Sequence, residues 1–144
     1  MRYTVDASVF VASLIATDIH YAPSLAFPTG LRSGPDLIYC PSLCPIEVAS
    51  AVVRQTGDAL LARSSARIVE RFPRMSLVDL SLRRAKQACR LAAAHRLRGA
   101  DTVYVAVAAE YGTTVITWDH EMLTRASAVV PARTPTDWLA SRRP

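Results

Sequence analysis

Four carboxylates stand in segments whose apolar character gives them little reason to be there. Asp6 falls between "RYTV" and "ASVFVASLIA", Glu47 within "SLCPIEVASAVVRQTG", Asp101 near the start of "RGADTVYVAVAAEYG", and Asp119 just after "GTTVITW". Burying an ionised carboxylate without a partner is strongly unfavourable, so each must be compensated. Carboxylates brought close together raise one another's pKa, and a hard divalent cation relieves that conflict. Mg²⁺ or Mn²⁺ takes oxygen ligands, keeps several waters and tolerates few direct protein ligands. Such an ion lowers the pKa of a bound water and neutralises charge developing on a phosphoryl oxygen, so hydrolysis of a phosphate ester is the chemistry in view. Ser8 and Thr117, each two residues from an acid, are hydroxyls placed to orient a carboxylate or a metal-bound water.

Strands alternating with helices have to position these groups. "RYTV" reads as a buried strand with a helix "ASVFVASLIA" after it, and Asp6 sits at their junction. From Asp18 to Asp36 the Pro- and Gly-rich stretch predicts at most a broken helical piece before a loop. "LIYCP" reads as a second strand. The helix containing Glu47 has Ser42 as its expected cap, Pro45 in its first turn and Gly57 beyond its end. Asp58 caps "ALLARSSARIVERF", which with the residues after it aligns Arg63, Arg67, Arg71 and Arg74 as a basic stripe. "MSLVDL" has strand character, and Ser81 caps a helix that Gly99 ends. After the helix from Asp101, "GTTVIT" is a strand running into a short helix "WDHEML", and the tail holds one further strand before a ragged basic end.

This pattern predicts the α/β class: a three-layer α/β/α sandwich around a central parallel sheet of four to five strands, a single domain over residues 1–144. Ligands bind such sheets outside the carboxyl ends of the strands. There the strand ends and following helix starts bring Asp6, Glu47, Asp101 and Asp119 to one rim. Taken singly each acid reads first as a helix cap or a macrodipole partner, and Ser8 as a cap. It is the set of acids, all in apolar segments consistent with one rim, that favours a site. Asp18, Asp36, Asp58, Glu70, Asp79 and Asp137 sit in polar or turn-like contexts and read as caps and surface charge.

The net charge of +5 and pI near 9.6 suit an anionic partner, and of 17 Lys and Arg residues all but Lys86 are Arg. Arg makes planar, bidentate contact with phosphate; an Arg- and Ala-rich genome would produce the same charge. The 3 Cys residues lack zinc-site spacing and read as small buried hydrophobes of a reducing compartment. Asp6 interrupts the opening apolar run, and no span-length apolar stretch follows, so the expectation is a cytoplasmic protein without membrane association.

At these residues the chain resembles the PIN-domain family and, within it, the VapC-type toxins of toxin–antitoxin pairs. The matching pieces are "VDASVFVA", "CPSLCPIEVASAVVR" and "GADTVYVAVAAEYGTTVITWDHEML", and with the overall length they cover nearly the whole chain. The resemblance implies a PIN-like sandwich and an Mg²⁺- or Mn²⁺-dependent endoribonuclease with Asp6, Glu47, Asp101 and Asp119 as its acidic quartet. It implies that Asp6, Asp101 and Asp119 hold the metal while Glu47 positions or deprotonates the attacking water, leaving a 5′-phosphate and a 3′-OH. Family members often carry Asn three residues after the glutamate; here Ser50 stands there with a shorter reach. The stripe Arg63, Arg67, Arg71 and Arg74 would hold the RNA backbone. A cognate antitoxin protein and a homodimer are the implied partners.

Other readings remain open from the residues alone. One is a non-toxin PIN ribonuclease in RNA processing, and another is a non-catalytic module binding RNA or a partner. A phosphoryl-accepting α/β domain would need a Lys near a strand end, and Lys86 lies within a helix. A dinucleotide site is disfavoured because no Gly-rich turn follows the first strand.

Overall fold

The computed structural model describes residues 1–142, so the last two residues of the expected basic end lie outside the described residues. Five strands, β1 (Arg2–Val5), β2 (Leu37–Pro41), β3 (Met75–Val78), β4 (Thr114–Ile116) and β5 (Ala132–Arg133), form one sheet in the order β3-β2-β1-β4-β5. Every neighbouring pair is parallel. Parallel neighbours need crossovers, and these carry α1 (Ala7–Leu14), α2 (Tyr21–Ser33), α3 (Cys44–Thr56), α4 (Ala59–Glu70), α5 (Leu82–His95), α6 (Gly99–Tyr111) and α7 (His120–Ala126), with α8 (Pro135–Ala140) after β5.

The strand order fixes where a ligand can sit. From β1 the chain steps outward to β2 and β3, then returns past β1 to β4 and steps the other way to β5. Right-handed crossovers then put α1–α4 on one face and α5–α7 on the other, giving the three layers. The reversal falls between β1 and β4, whose carboxyl ends open the crevice characteristic of such sheets. Val5, Ile38, Val115 and Ile116 of the strands are buried with Val9, Val48, Val52 and Val105 of the helices in one core. Residues Thr102–Ala108 are all buried because α6 lies against β1, β2 and β4 while α5 covers it, which accounts for a helix apolar on most sides.

Several local expectations are corrected. The stretch 18–36 is not a broken piece: α2 runs unbroken for 13 residues. Pro23 lies in its first turn, where no N–H donor is needed, but Pro28 is interior and costs about 3 kcal/mol. Phe27 and Leu31 are buried at 0% and 1% exposure against this cost. Each contributes about 1.5–3 kcal/mol, so burial wins. Ser42 does not cap α3; its N–H donates to the Val78 carbonyl at 2.9 Å, extending the sheet, and Leu43 takes the cap position. Gly99 opens α6, and α5 instead ends on Arg96 in the left-handed conformation (φ 54°), whose carbonyl accepts from Arg125.

The expected ragged tail holds α8, closed by a capping box in which Thr134 and Asp137 bond reciprocally. Asp36, expected as surface charge, is 2% exposed and accepts from the N-terminal ammonium at 2.6 Å and from Arg142. No helix among the described residues is long and apolar enough to cross a membrane.

Candidate active site

The crevice between β1 and β4 is built by short-range bonding that the strand ends dictate. Beyond β1, the Asp6 N–H still pairs with the Ile116 carbonyl at 2.9 Å, so the Asp6 side chain leaves the sheet at the rim and caps α1. Beyond β4, the Thr117 N–H pairs with Arg133 at 3.1 Å, which fixes Thr117, Trp118 and Asp119 on the same rim. Thr117 donates to Asp6 Oδ2 at 2.9 Å, and Ser8 donates to the same oxygen through its backbone N–H at 3.3 Å and through its hydroxyl. Asp6 is buried at 8% exposure with no arginine of the described residues beside it; burial pushes its carboxyl up, and the Ser8 and Thr117 donors pull it partly back. Both hydroxyls expected to support an acid thus converge on one carboxylate oxygen.

Glu47 lies in the first turn of α3, and the Tyr104 hydroxyl donates to its Oε2 at 2.6 Å. Burial raises its pKa; the tyrosine lowers it, and the negative charges of Asp6 and Asp101 raise it again. Tyr104 is itself fully buried, and desolvation holds its phenol well above the usual tyrosine range, so it stays a donor.

Asp101 is pushed up to about 6 by burial, opposed by Arg98 and reinforced by Asp119 and Asp6. Asp6, Glu47 and Asp101 therefore feel one another electrostatically, as do Asp101 and Asp119. Asp119 caps α7, its Oδ1 accepting from Met122 at 2.8 Å.

Arg98, which sequence reasoning did not single out, joins the acids. Its Nε donates to Asp101 at 3.1 Å and one terminal nitrogen donates to Asp119 at 2.5 Å, with Glu121 at 3.5 Å. The i, i+3 spacing to Asp101 signals the first contact in the sequence, whereas the second needs β4 beside β1. The acidic set is thus divided: Asp101 and Asp119 share a guanidinium, while among the described residues Asp6 and Glu47 have neutral donors, hydroxyls and, for Asp6, a backbone N–H.

A cleft of about 610 Å³ opens on the same rim, with Asp6, Ser8, Glu47, Ser50, Arg54 and Trp118 among its lining residues. Ser50 is exposed there. Of the basic residues, Arg54 lines this cleft and the expected stripe does not. Arg63, Arg67 and Arg71 are exposed on or at the end of α4. Arg74 is spent structurally, its guanidinium donating to the carbonyls of Leu31 at 2.8 Å, Arg32 at 2.9 Å and Asp36 at 3.2 Å.

The donor set suits a hard divalent cation, being all carboxylate oxygen, with no cationic side chain among the described residues paired to Asp6 or Glu47. It is not a preformed cage, since among the described residues no three His, Cys, Asp or Glu side chains stand together closely enough to hold an ion. Mg²⁺ rarely needs such a cage, for it binds through one or two carboxylates, waters and substrate phosphate.

A measurable consequence follows for Asp101. Its folded-state pKa lies above that of the unfolded chain, so its favourable contribution is complete below the ordinary Asp range and lost as pH rises through about 6. Asp101→Asn is therefore expected to melt above wild type at about pH 7.5 in chelator, with the difference closing as pH falls to about 5. A constant difference across that window, read by thermal unfolding, would contradict the burial argument.

The PIN domain family model matches residues 3–128. The Mycobacterium tuberculosis VapC20 structure, described as a sarcin–ricin loop cleaving toxin, superposes with a TM-score of 0.72 at 16% identity over 85% of this chain and 93% of that one. VapBC2 from Rickettsia felis bound to a promoter DNA fragment gives 0.69 at 14% identity, covering 93% and 98%. A toxin–antitoxin complex from Klebsiella pneumoniae gives 0.65 at 14% identity, covering 92% and 97%. No curated protein matches the chain significantly.

Proposed function

From the premise that this chain belongs to the PIN-domain family, we propose that it is a divalent-metal-dependent endoribonuclease, the toxin of a type II toxin–antitoxin pair. The observation that carries the reading is the mutual electrostatic influence of Asp6, Glu47 and Asp101 at the strand-order reversal, where two of the three have no cationic partner among the described residues. In this reading Asp6, Asp101 and Asp119 would hold Mg²⁺ or Mn²⁺, directly or through water. The bound ion would supply positive charge at a phosphoryl oxygen and acidify a water.

Glu47 is the general base. Burial raises its proton affinity, which suits a proton acceptor, and the Tyr104 hydroxyl on Oε2 leaves Oε1 to take the proton of the attacking water. Ser8 and Thr117 hold the Asp6 carboxylate in one orientation. Attack by water at phosphorus leaves a 5′-phosphate and a 3′-OH. Arg54 on the cleft wall takes a backbone phosphate, and Arg63, Arg67 and Arg71 on the adjoining helix extend the basic surface.

A cytoplasmic setting, a small antitoxin protein and a homodimer complete the proposal. The antitoxin has support in the Klebsiella pneumoniae neighbour, itself a toxin–antitoxin complex. The dimer has support in an apolar groove lined by Ala85, Ala88, Ala92 and Val103, between α5 and α6.

Purified protein incubated with total RNA and Mg²⁺ or Mn²⁺ is expected to generate new 5′-phosphate ends, read by end sequencing, and to stop with chelator. Cleavage that persists in chelator, or ends carrying 2′,3′-cyclic phosphate, would refute this chemistry. One observation favours a second reading: Arg98 across Asp101 and Asp119 neutralises acids in the manner of a non-catalytic binding module. RNA binding without cleavage under any divalent ion would select that alternative.

A further inference from the structure

Two aromatic rings line the cleft and take no part in the hydrolytic scheme. His20, just before α2, and Trp118, just after β4, stack with ring centroids 4.0 Å apart and an interplanar angle of 6°. Both remain half-buried on the wall of the cleft that contains Asp6 and Glu47. Trp118 is pinned through both its side chain and its backbone: the indole Nε1 donates to Ser24 Oγ at 2.6 Å, and the backbone N–H donates to Ser8 Oγ at 3.2 Å. That Ser8 hydroxyl also donates to Asp6 Oδ2. A single hydroxyl therefore sets the aromatic pair in place relative to the acid that carries the proposed chemistry. The turn before α2 is held in its turn, with the His20 N–H donating to Asp18 Oδ1 at 2.7 Å.

A flat, rigid π surface in the same cleft as Asp6 and Arg54 suits a nucleobase whose face is free. A base inside a continuous duplex has both faces covered by its neighbours and cannot use it. We propose that the His20–Trp118 stack is a subsite for one unpaired nucleobase flanking the cleaved linkage, with Arg54 holding the adjoining phosphate. The subsite rests on the ribonuclease reading of the same cleft and adds to it the element that distinguishes a base from bare backbone. Ser24, buried on α2, is a positioning residue for it through the indole N–H.

The test uses three probes of equal length in chelator: oligoadenylate, an abasic ribose-phosphate oligomer, and oligoadenylate paired with oligouridylate. Of the 2 tryptophans, Trp138 is 2% exposed, so quenching of tryptophan fluorescence reports Trp118. Wild type is expected to bind single-stranded oligoadenylate about tenfold more tightly than the abasic oligomer or the duplex, with quenching by the base-bearing strand alone.

His20→Ala should erase that preference without changing affinity for the abasic oligomer, and His20→Phe should restore it. A purely structural stack would instead lower the unfolding temperature of His20→Ala and weaken all three probes alike. Equal wild-type affinity for base-bearing and abasic strands would overturn the subsite. Cleavage of single-stranded RNA by wild type with Mn²⁺, measured in parallel, keeps the two ideas apart. Cleavage with base-independent binding removes the subsite alone, and base-dependent binding without cleavage removes the nuclease.

Discussion

Asp6→Asn is expected to lower RNA cleavage by about 10²–10³-fold or more, the scale on which a single preorganised electrostatic group acts in a water-poor site. The fold should survive. Asparagine still offers an oxygen to the Ser8 N–H at the start of α1 and to the Thr117 hydroxyl, both of which bond Asp6 now. The substitution also removes a charge whose burial raises the pKa of the native carboxyl, so the unfolding temperature at neutral pH should match or exceed that of wild type. Loss of cleavage with an unchanged or raised midpoint separates a chemical role from a structural one. A folded Asp6→Asn protein that cleaves at the wild-type rate would remove Asp6 from the reaction and with it the assignment of the cleft.

Trp138→Ala carries the largest expected effect on stability. The indole is 2% exposed and meets Phe27 edge-on at 4.8 Å and Tyr3 at 6.1 Å, with the Arg142 guanidinium 4.2 Å from its centroid. Space for it exists because Gly30 faces it: a Cβ there would come within 3.0 Å of Cη2. Removing a ring so enclosed leaves a cavity joining α8, α2 and β1, and costs about 3–5 kcal/mol. At this chain length that loss lowers Tm by roughly 10 °C. Trp138→Phe should cost less than half as much, because the indole N–H has no partner among the described residues and no hydrogen bond is lost with it. Equal losses in the two variants, measured by chemical denaturation, would show that packing of the ring is not what matters there.

The dividing line between what was legible and what was not follows the range of the forces involved. Local chemistry wrote β1, β2 and β4 plainly: each is a short, largely buried apolar run, and β1 and β4 lead into helices capped by Asp6 and Asp119. The caps Asp58 and Ser81 and the left-handed Gly57 were equally readable, since each depends on bonds within a few residues. The tail was readable in principle, because Thr134, Pro135 and Asp137 spell a capping box. By contrast α2 was not, because its Pro28 speaks against a helix and only the pocket that receives Phe27 and Leu31 outweighs it.

The same division runs through the candidate site. The sequence by itself determined which carboxylates lie in apolar segments, and hence which acids need compensation. Only the tertiary structure decided how each is compensated: hydroxyls from Ser8 and Thr117 for Asp6, a buried phenol for Glu47, and one guanidinium shared by Asp101 and Asp119. Thr117 reaches Asp6 across 111 positions of chain and Tyr104 reaches Glu47 across 57. Hydrogen bonds act over about 3 Å, and nothing in residue order brings such pairs within that distance until parallel pairing sets β4 beside β1 and α6 packs across the sheet.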